Sequence, residues 1–264
     1  MASRNIRVAM IGQKGYPPVH GGIEKHVAEL AARLPALGCG VDIYSRPHYS
    51  DLDGPADLDG VRVFKLPSIP TKHLDAITHT VLSTVHVMPR DVDIVHYHAL
   101  GPGLLAGVPR WLARKPTVIT VHGLDWQREK WGAVATAVLR AGESACVKLP
   151  DRTIVVSKAL RKHFLETHLS ATDYIPNGIT PPVYREPQVI PGLGVDKPFV
   201  LFVGRLVPEK GCHLLLDAWG ELPSSLRESH RMVVAGDAGF TPGYVEGLRK
   251  AAPAGVVFTG YIHG

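Results

Sequence analysis

Short apolar runs rich in β-branched residues alternate with longer stretches of helical apolar spacing along the whole chain. The runs predict buried strands at residues 6–12, 41–44, 61–66, 92–98, 117–123, 153–157, 199–203, 232–235 and 256–259. Helical spacing occupies the intervals between them, most clearly at residues 22–37, 73–88, 131–149, 212–219 and 244–251. Strands that alternate with helices are typical of parallel, doubly wound sheets, so the predicted fold class is α/β.

A Pro- and Gly-rich stretch without periodicity, residues 181–198, interrupts this alternation. We predict a first domain over residues 1–184, a linker over 185–198 and a second domain over 199–264. The second domain has three predicted strands, whereas an open sheet usually has about five or six. We therefore expect the second domain to be incomplete. Residues 51–60 are polar and are expected to form turns.

The chain of 264 residues is basic, with 29 Lys and Arg against 24 Asp and Glu, a net charge of +5 and a pI of about 9.1. Such a charge fits an anionic ligand, a membrane surface or nucleic acid. Since the sequence has no Lys/Arg block and no interleaving of basic and aromatic residues, we do not expect nucleic acid as a partner.

Three widely spaced cysteines, Cys39, Cys146 and Cys212, give neither a zinc pattern nor a disulfide framework, which favours a reducing cytoplasm. The first strand follows directly after Met1–Asn5, so we expect no signal peptide. No apolar run reaches the roughly 20 residues of a membrane span. Any membrane contact is therefore expected to be peripheral, at the inner face.

The most informative loop follows the strand at residues 199–203. It begins with Gly204 and Arg205 and ends with Lys210 and Gly211, where a helix starts. Backbone N–H groups, the helix dipole and two cations at one place favour a bound polyanion, and a diphosphate fits best. The alternative is an ordinary loop with two solvated cations.

Glycines also mark the entry to the first helix, in the sequence Gly21-Gly22-Ile23-Glu24. They would allow a phosphate or a sugar to approach the backbone N–H groups at the helix start. The alternative is a flexible helix entry without a ligand. The spacing of Gly12, Gly15 and Gly21 does not match a dinucleotide fingerprint, which disfavours a dehydrogenase.

Histidines end two of the predicted strands. His122 lies at the carboxyl end of its strand and is placed in the crevice where ligands bind, although a capping or core histidine is the alternative. His96 and His98 are expected to leave opposite faces of their strand. On that expectation they do not chelate one ion with His122, and we predict no metal site.

These motifs together resemble glycosyltransferase family 4, whose retaining enzymes have two facing Rossmann-like domains, the GT-B fold. The resemblance is carried in order by Gly-Gly-x-Glu at 21–24, His122-Gly123, Ser157, Pro176-Asn177-Gly178, the Gly-Arg-(four residues)-Lys-Gly loop at 204–211 and Gly236-Asp237. It implies a Rossmann-like, acceptor-side first domain and a partial, donor-binding second domain.

The resemblance also implies roles for individual residues. The catalytic residues would be His122, Arg205 and Lys210, the last two gripping the donor diphosphate. Donor binding would further involve Gly21, Gly22, Gly236 and Asp237. The acceptor or sugar side would include Glu24, His122, Asp125, Ser157 and Asn177. Neither a metal nor any other cofactor is implied, because the nucleotide-sugar is a co-substrate.

The implied reaction transfers a sugar from a UDP- or GDP-type nucleotide-sugar to a hydroxyl acceptor with retention, in polysaccharide, glycolipid or lipid-linked glycan synthesis. The family's Glu-(seven residues)-Glu motif would fall after Gly264, so the chain is expected to be a truncated form of the family. A non-catalytic chain or partner module is one alternative. A sugar-nucleotide epimerase of the same architecture is another.

Overall fold

The computed structural model describes residues 5–18, 21–49, 52, 56–58, 60–71, 74–127, 131–184, 197–237 and 242–262. The chain divides into two compact units, Met1–Thr180 and Pro181–Gly264. Each unit has its own sheet and its own buried apolar core, which in the first unit consists of two clusters. The predicted linker lies outside the described residues, apart from Lys197 and Pro198.

The first unit is built on one sheet. Its strands within the described residues are β1 (Ile6–Ile11), β2 (Cys39–Ser45), β3 (Ala56–Leu58), β4 (Val61–Lys65), β5 (Ile94–His98), β6 (Thr117–Val121), β7 (Arg152–Val155) and β8 (Asp173–Tyr174). They lie in the order β3-β4-β2-β1-β5-β6-β7-β8. The chain order reverses between β1 and β5, and ligands of such sheets bind outside the carboxyl ends of the strands at this switch point.

Parallel pairing runs through this sheet, and among its described strands only β3 pairs antiparallel, with Asp57 opposite Arg62. The polar, turn-rich stretch at residues 51–60 therefore contains a strand, Ala56–Leu58, that the sequence pattern did not predict. The short strand alternates an apolar, an acidic and an apolar side chain. That pattern suits an edge strand, but three residues are too few for it to stand out in a polar stretch.

Both faces of the sheet are covered by apolar side chains, because successive residues of a strand leave opposite faces. Along β1, Val8 and Met10 belong to one buried cluster, whereas Ala9 and Ile11 belong to another. The covering helices are α1 (Gly22–Arg33), α2 (Leu74–Val87), α3 (Leu100–Gly103), α4 (Gly107–Leu112), α5 (Ala133–Lys148) and α6 (Lys158–His168). The continuous apolar run of β1 thus reflects burial on two sides.

Helix α2 is arranged with its polar side inward. Its buried residues are Asp75, His79, Thr80, Ser83, Thr84 and Val87. Its outer side carries aliphatic side chains that are each more than 40% exposed, namely Leu74, Ile77, Val81, Leu82 and Val85. Their spacing of three and four residues makes a continuous apolar stripe, which we call the α2 stripe. No helix among the described residues combines the length and the apolar character that crossing a bilayer requires.

The second unit repeats the same construction on a smaller scale. Its parallel strands are β9 (Phe199–Val203), β10 (Arg231–Ala235) and β11 (Val256–Gly260), in the order β11-β10-β9 over the described residues. Its helices are α7 (Cys212–Glu221), α8 (Ser224–Ser229) and α9 (Pro242–Ala251). The short helix α8 was not expected from the sequence. Leu206, Leu216 and Trp219 are among the buried residues of its core.

Glycine is required where β10 ends. Gly236 has φ of +132°, and a Cβ there would overlap the carbonyl oxygen of Gly204, which follows β9. A side chain at this position therefore conflicts with the backbone conformation and with the neighbouring loop. In contrast, Gly247 lies within α9 and has open space around its missing side chain.

We therefore predict opposite effects of two Gly→Ala changes in the second unit. Gly236→Ala should lower its stability by more than about 1 kcal/mol, since the strained position cannot accept Ala. Gly247→Ala should raise it by about 0.5–1 kcal/mol, because Ala is the better helix former. Hydrogen exchange of the β9 and β10 amides would measure both effects. Equal protection in the two variants would contradict this account.

Candidate active site

The site of the first unit lies where β1, β5 and β6 end. Gly12, directly after β1, has φ of +118°, and a Cβ there would overlap the carbonyl oxygen of His98 at the end of β5. The two backbones therefore approach as closely as glycine allows. His122 directly follows β6, the neighbouring strand. The predicted position of His122 in the crevice follows from this arrangement.

The glycines before α1 leave the start of that helix open. Gly21 has φ of +113° and makes no side-chain cap, and a Cβ on Gly22 would meet no described atom within 4 Å. The first-turn N–H groups of a helix without a side-chain cap can donate hydrogen bonds to an anion or to another polar ligand. Gly22 thus has the geometry that its predicted role requires.

Glu24 is turned toward the loop rather than outward. The residue is buried, and its Oε1 accepts a hydrogen bond of 3.1 Å from the backbone N–H of Lys14. A Cβ on Gly21 would overlap its other oxygen, Oε2. Glu24 therefore joins the loop after β1 to the entry of α1, a bracing contact that the motif alone did not indicate.

A cavity of about 270 Å³ opens beside the start of α1. Its walls come from α1 and from the segment after β8: Gly22, Lys25, His26, Glu29, Asn177, Gly178, Ile179 and Thr180. Hydrogen bonds of 3.0 Å join Thr180 Oγ1 to Glu29 and to Arg33 and hold this segment against the helix. The structure thus brings the predicted residues Gly22 and Asn177 to one cavity.

Four imidazoles gather at this end of the sheet. His98 Nδ1 lies 3.2 Å from His122 Nε2, and the ring of His26 on α1 is centred 5.0 Å from that of His122. The ring of His96 stacks on that of His98, with centroids 4.3 Å apart, and His96 Nε2 lies 2.7 Å from Thr120 Oγ1. His26 was not singled out in the sequence, although it lies one helical turn beyond Gly22.

The expectation that His96 and His98 leave opposite faces of their strand was wrong. Side chains alternate with a period of two, so residues i and i+2 share a face. The stacked rings of the pair show this directly. The argument against a metal site assumed that His96 and His98 leave opposite faces of β5, and it therefore has no basis.

Burial keeps these imidazoles neutral. Burial, assisted by the nearby His26, lowers the pKa of His122 to about 4. Burial also lowers the pKa of His96 to about 3, that of His98 well below 6.5, and that of His26 to a smaller extent. A neutral imidazole has one donor and one acceptor nitrogen. At neutral pH the cluster therefore provides hydrogen bonds and metal-ligating nitrogens instead of positive charge.

The loop after His122 is held by a buried carboxylate. Trp126, within the 3₁₀ turn Asp125–Gln127, donates its Nε1–H to Glu143, and His163 and His168 lie 2.7 and 2.8 Å from the other oxygen of Glu143. Burial would raise the pKa of Glu143, but these hydrogen bonds outweigh burial and lower it. Glu143 escaped prediction because its three partners come together only through tertiary structure.

The remaining predicted residues of this unit have simpler surroundings. Ser157 is the N-cap of α6, and its Oγ accepts a hydrogen bond of 3.1 Å from the N–H of Leu160. Asp125 is half-buried at the start of the 3₁₀ turn, whereas Asn177 is exposed. The capping alternative therefore accounts for the position of Ser157, and a role toward a ligand stays a prediction.

The predicted donor residues lie in the second unit, on two adjoining loops. The Gly204 N–H donates to Ala235 O at 3.0 Å, and the Leu206 N–H donates to Asp237 O at 3.2 Å. Arg205 is therefore placed beside Gly236 and Asp237. Lys210 ends the 3₁₀ turn Pro208–Lys210, and Gly211, with φ of +69°, is the N-cap of α7. Both cations are exposed, and no ion pair of either is found within the described part of the chain.

Two sequence families match the chain consecutively. The family described as Glycosyltransferase Family 4 matches residues 20–181, and Glycosyl transferases group 1 matches residues 185–262. These matches define the class of protein as a glycosyltransferase. The chain belongs to glycosyltransferase family 4, as its motifs predicted. This membership does not favour an epimerase.

Curated relatives include two kinds of bacterial enzyme. The chain is 31% identical to alpha-maltose-1-phosphate synthase of Mycolicibacterium smegmatis, over 93% of this chain and 64% of the relative. It is 29% identical to D-inositol 3-phosphate glycosyltransferase of Xylanimonas cellulosilytica, over 95% of this chain and 67% of the relative. The chain thus spans about two thirds of the length of these relatives.

Solved structures share the fold. Sucrose-phosphate synthase from Thermosynechococcus elongatus superposes with a TM-score of 0.75 at 20% identity, over 97% of this chain and 71% of that one. HepE of Anabaena, in complex with UDP and glucose, superposes with a TM-score of 0.69 at 20% identity, over 98% of this chain and 70% of that one. The predicted α/β class and its GT-B type are confirmed.

Neutral buried histidines make stability depend on pH. His79 on α2 is fully buried, and burial together with the charge of Arg46 lowers its pKa from 6.5 to about 4. Between these two values the unfolded chain binds a proton that the folded chain does not. The stabilisation is therefore complete above pH 6.5 and is lost as the pH falls toward 4.

We predict that the free energy of unfolding falls between pH 7 and pH 5, with a slope of up to about 1.4 kcal/mol per pH unit for each buried histidine. His79→Asn should reduce this slope by the contribution of one buried histidine. Urea unfolding at pH 5, 6 and 7 measures the slope. An unaltered slope in His79→Asn would show that this site does not stay neutral in the folded state.

Proposed function

We propose that the complete protein transfers a sugar from a nucleotide diphosphate-sugar to a hydroxyl acceptor with retention at the anomeric carbon. The observation that carries this proposal is the loop from Gly204 to Gly211. It presents two exposed cations, Arg205 and Lys210, beside the glycine turn at Gly236. The donor is a co-substrate, and the proposed reaction needs no resident cofactor.

Stabilising the leaving diphosphate is the main requirement of this chemistry. A guanidinium can bind two phosphate oxygens at once, and an ammonium adds a compact charge. The loop that carries them is held by the bond from Leu206 to Asp237 and by a bond of 2.9 Å from the Lys210 N–H to Val207 O. Cations on a fixed loop stabilise developing charge without reorganisation.

On the sugar side, we assign His122 the role of contacting the transferred sugar. Its Nε2 faces His98, and no hydrogen bond of its Nδ1 occurs within the described residues. Because the ring is neutral, Nδ1 can bond a sugar hydroxyl without competing for the diphosphate as a cation would. Gly22 and Asn177 share a cavity and are assigned to the same ligand. Asp125 and Ser157 are assigned to the acceptor side.

The named relatives support a nucleotide-sugar donor of this kind. HepE of Anabaena has been solved with UDP-glucose, and starch synthase IV of Arabidopsis thaliana with ADP. The relatives include an alpha-maltose-1-phosphate synthase and a D-inositol 3-phosphate glycosyltransferase. We therefore assign this protein a UDP-, GDP- or ADP-sugar as donor and glycan or glycolipid assembly as its setting.

A nucleotide titration tests the donor role. The ligands are UDP, GDP, ADP and their glucose conjugates, each with EDTA present. The nucleotides of one base should raise the melting temperature of the chain, since a ligand that binds the folded state stabilises it. Arg205→Ala and Lys210→Ala should each weaken nucleotide binding about 10- to 100-fold, which is the loss expected when one charge-assisted hydrogen bond is removed. Full-length enzyme carrying Arg205→Ala should lose most of its turnover.

The control for this titration is Lys250→Ala. Lys250 is an exposed cation of the same unit that pairs with Glu246 one helical turn away. Its replacement should leave the nucleotide affinity unchanged. Equal affinities of Arg205→Ala, Lys210→Ala and Lys250→Ala would reject the diphosphate role.

We also propose that the protein contacts an anionic membrane surface at the cytoplasmic side. The observation behind this is the α2 stripe, where aliphatic side chains face outward while polar ones are buried. An exposed apolar stripe of this kind marks a surface that a lipid bilayer or a protein partner covers. The net charge of +5 favours an anionic lipid surface over a second copy of the same cationic chain.

Vesicle flotation tests this contact. The chain should float with vesicles that contain anionic lipid and less with neutral ones, and the double change Ile77→Asp and Val85→Asp should abolish flotation. Leu37→Asp, at an exposed aliphatic residue outside the stripe, serves as the control and should float normally. Dimerisation without lipid that the double change abolishes would assign the stripe to self-association instead.

A further inference from the structure

Three imidazoles of the first unit are arranged like the ligands of one metal ion. His26 on α1, His98 at the end of β5 and His122 after β6 each offer one nitrogen, and these nitrogens all lie within 4.8 Å of one another. They come from three separate elements of the fold. Their convergence therefore depends on tertiary structure and was not visible as a spacing in the sequence.

The distances are close to those of a tetrahedral site. Zinc binds imidazole nitrogen at about 2.0–2.1 Å, which places two ligand nitrogens about 3.3 Å apart. The nitrogens of His98 and His122 are already 3.2 Å apart. The ring centroids of His26 lie 5.0 Å from His122 and 5.9 Å from His98. A rotation of the half-buried His26 side chain would close the remaining gap.

The surroundings of the cluster favour ligation. His98 is supported from behind by the stacked ring of His96, which hydrogen bonds to Thr120. His98 Nδ1 is the nitrogen that faces His122, and His98 Nε2 is buried without a hydrogen-bond partner among the residues described, so no bond at Nε2 opposes ligation through Nδ1. His26 also lines the open cavity beside α1, which gives an ion a path of entry.

The donor set selects the kind of ion. All the ligands are imidazole nitrogens, which suit zinc, cobalt, nickel and copper, whereas magnesium and calcium require oxygen ligands. Neutral imidazole is the ligating form. Three protein ligands leave a fourth position for water or another ligand, as in open zinc sites.

We propose that His26, His98 and His122 bind a divalent ion of the zinc type. The ion is not a requirement of the proposed transfer, because the proposed diphosphate contacts come from Arg205 and Lys210.

Cobalt titration tests the site directly. The visible absorption of Co²⁺ bound to the 264-residue chain should be that of a four-coordinate ion, should saturate at one equivalent and should disappear when Zn²⁺ is added. His26→Gln and His122→Gln should each weaken Co²⁺ binding at least tenfold. His230→Gln, outside the cluster, should bind as the unchanged chain does.

Two results would overturn the metal site. One is the lack of any saturable absorption with millimolar Co²⁺. The other is an unchanged spectrum in His26→Gln, whose half-buried ring can be replaced without emptying the core. A thermal melt of each variant establishes that it is folded, so loss of cobalt binding reports on the ligand and not on the fold.

Discussion

The first unit depends on the close approach of two backbones where β1 and β5 end. Gly12 has a positive φ, and any side chain there would overlap the carbonyl oxygen of His98. This approach lies at the point where the strand order reverses, which is where a parallel sheet opens a crevice. The glycine thus fixes the backbone from which His98 extends toward His122 and His26.

The second unit has a similar close approach of two backbones, but different side chains gather beside it. Gly236 with its positive φ lies against Gly204, and the adjoining loops carry the exposed cations Arg205 and Lys210. The first unit instead collects imidazoles that burial keeps neutral. One construction therefore presents charge suited to a diphosphate in one unit and uncharged hydrogen-bonding groups suited to a sugar in the other.

Local sequence patterns predicted most of the fold, because the formation of strands, helices and turns depends largely on residues that are close in the sequence. The apolar runs of β1 and β9 and the strand-ending glycines were visible in the sequence, and so was the Arg205–Lys210 loop. The histidine cluster was missed because the faces of β5 were assigned wrongly. Glu143 and the inward polar side of α2 were missed for another reason, since partners distant in the sequence decide them: those of Glu143 are 17 to 25 residues away.

The neutrality of the histidine cluster has a structural and a functional consequence. Burying imidazoles without charge removes the repulsion that several cations near one another would create. It also gives a set of nitrogens that can bind either a sugar hydroxyl or a metal ion. A bound divalent ion would replace an uncharged surface with a positive one. The same burial that suits His122 to a sugar therefore makes the site sensitive to transition metals.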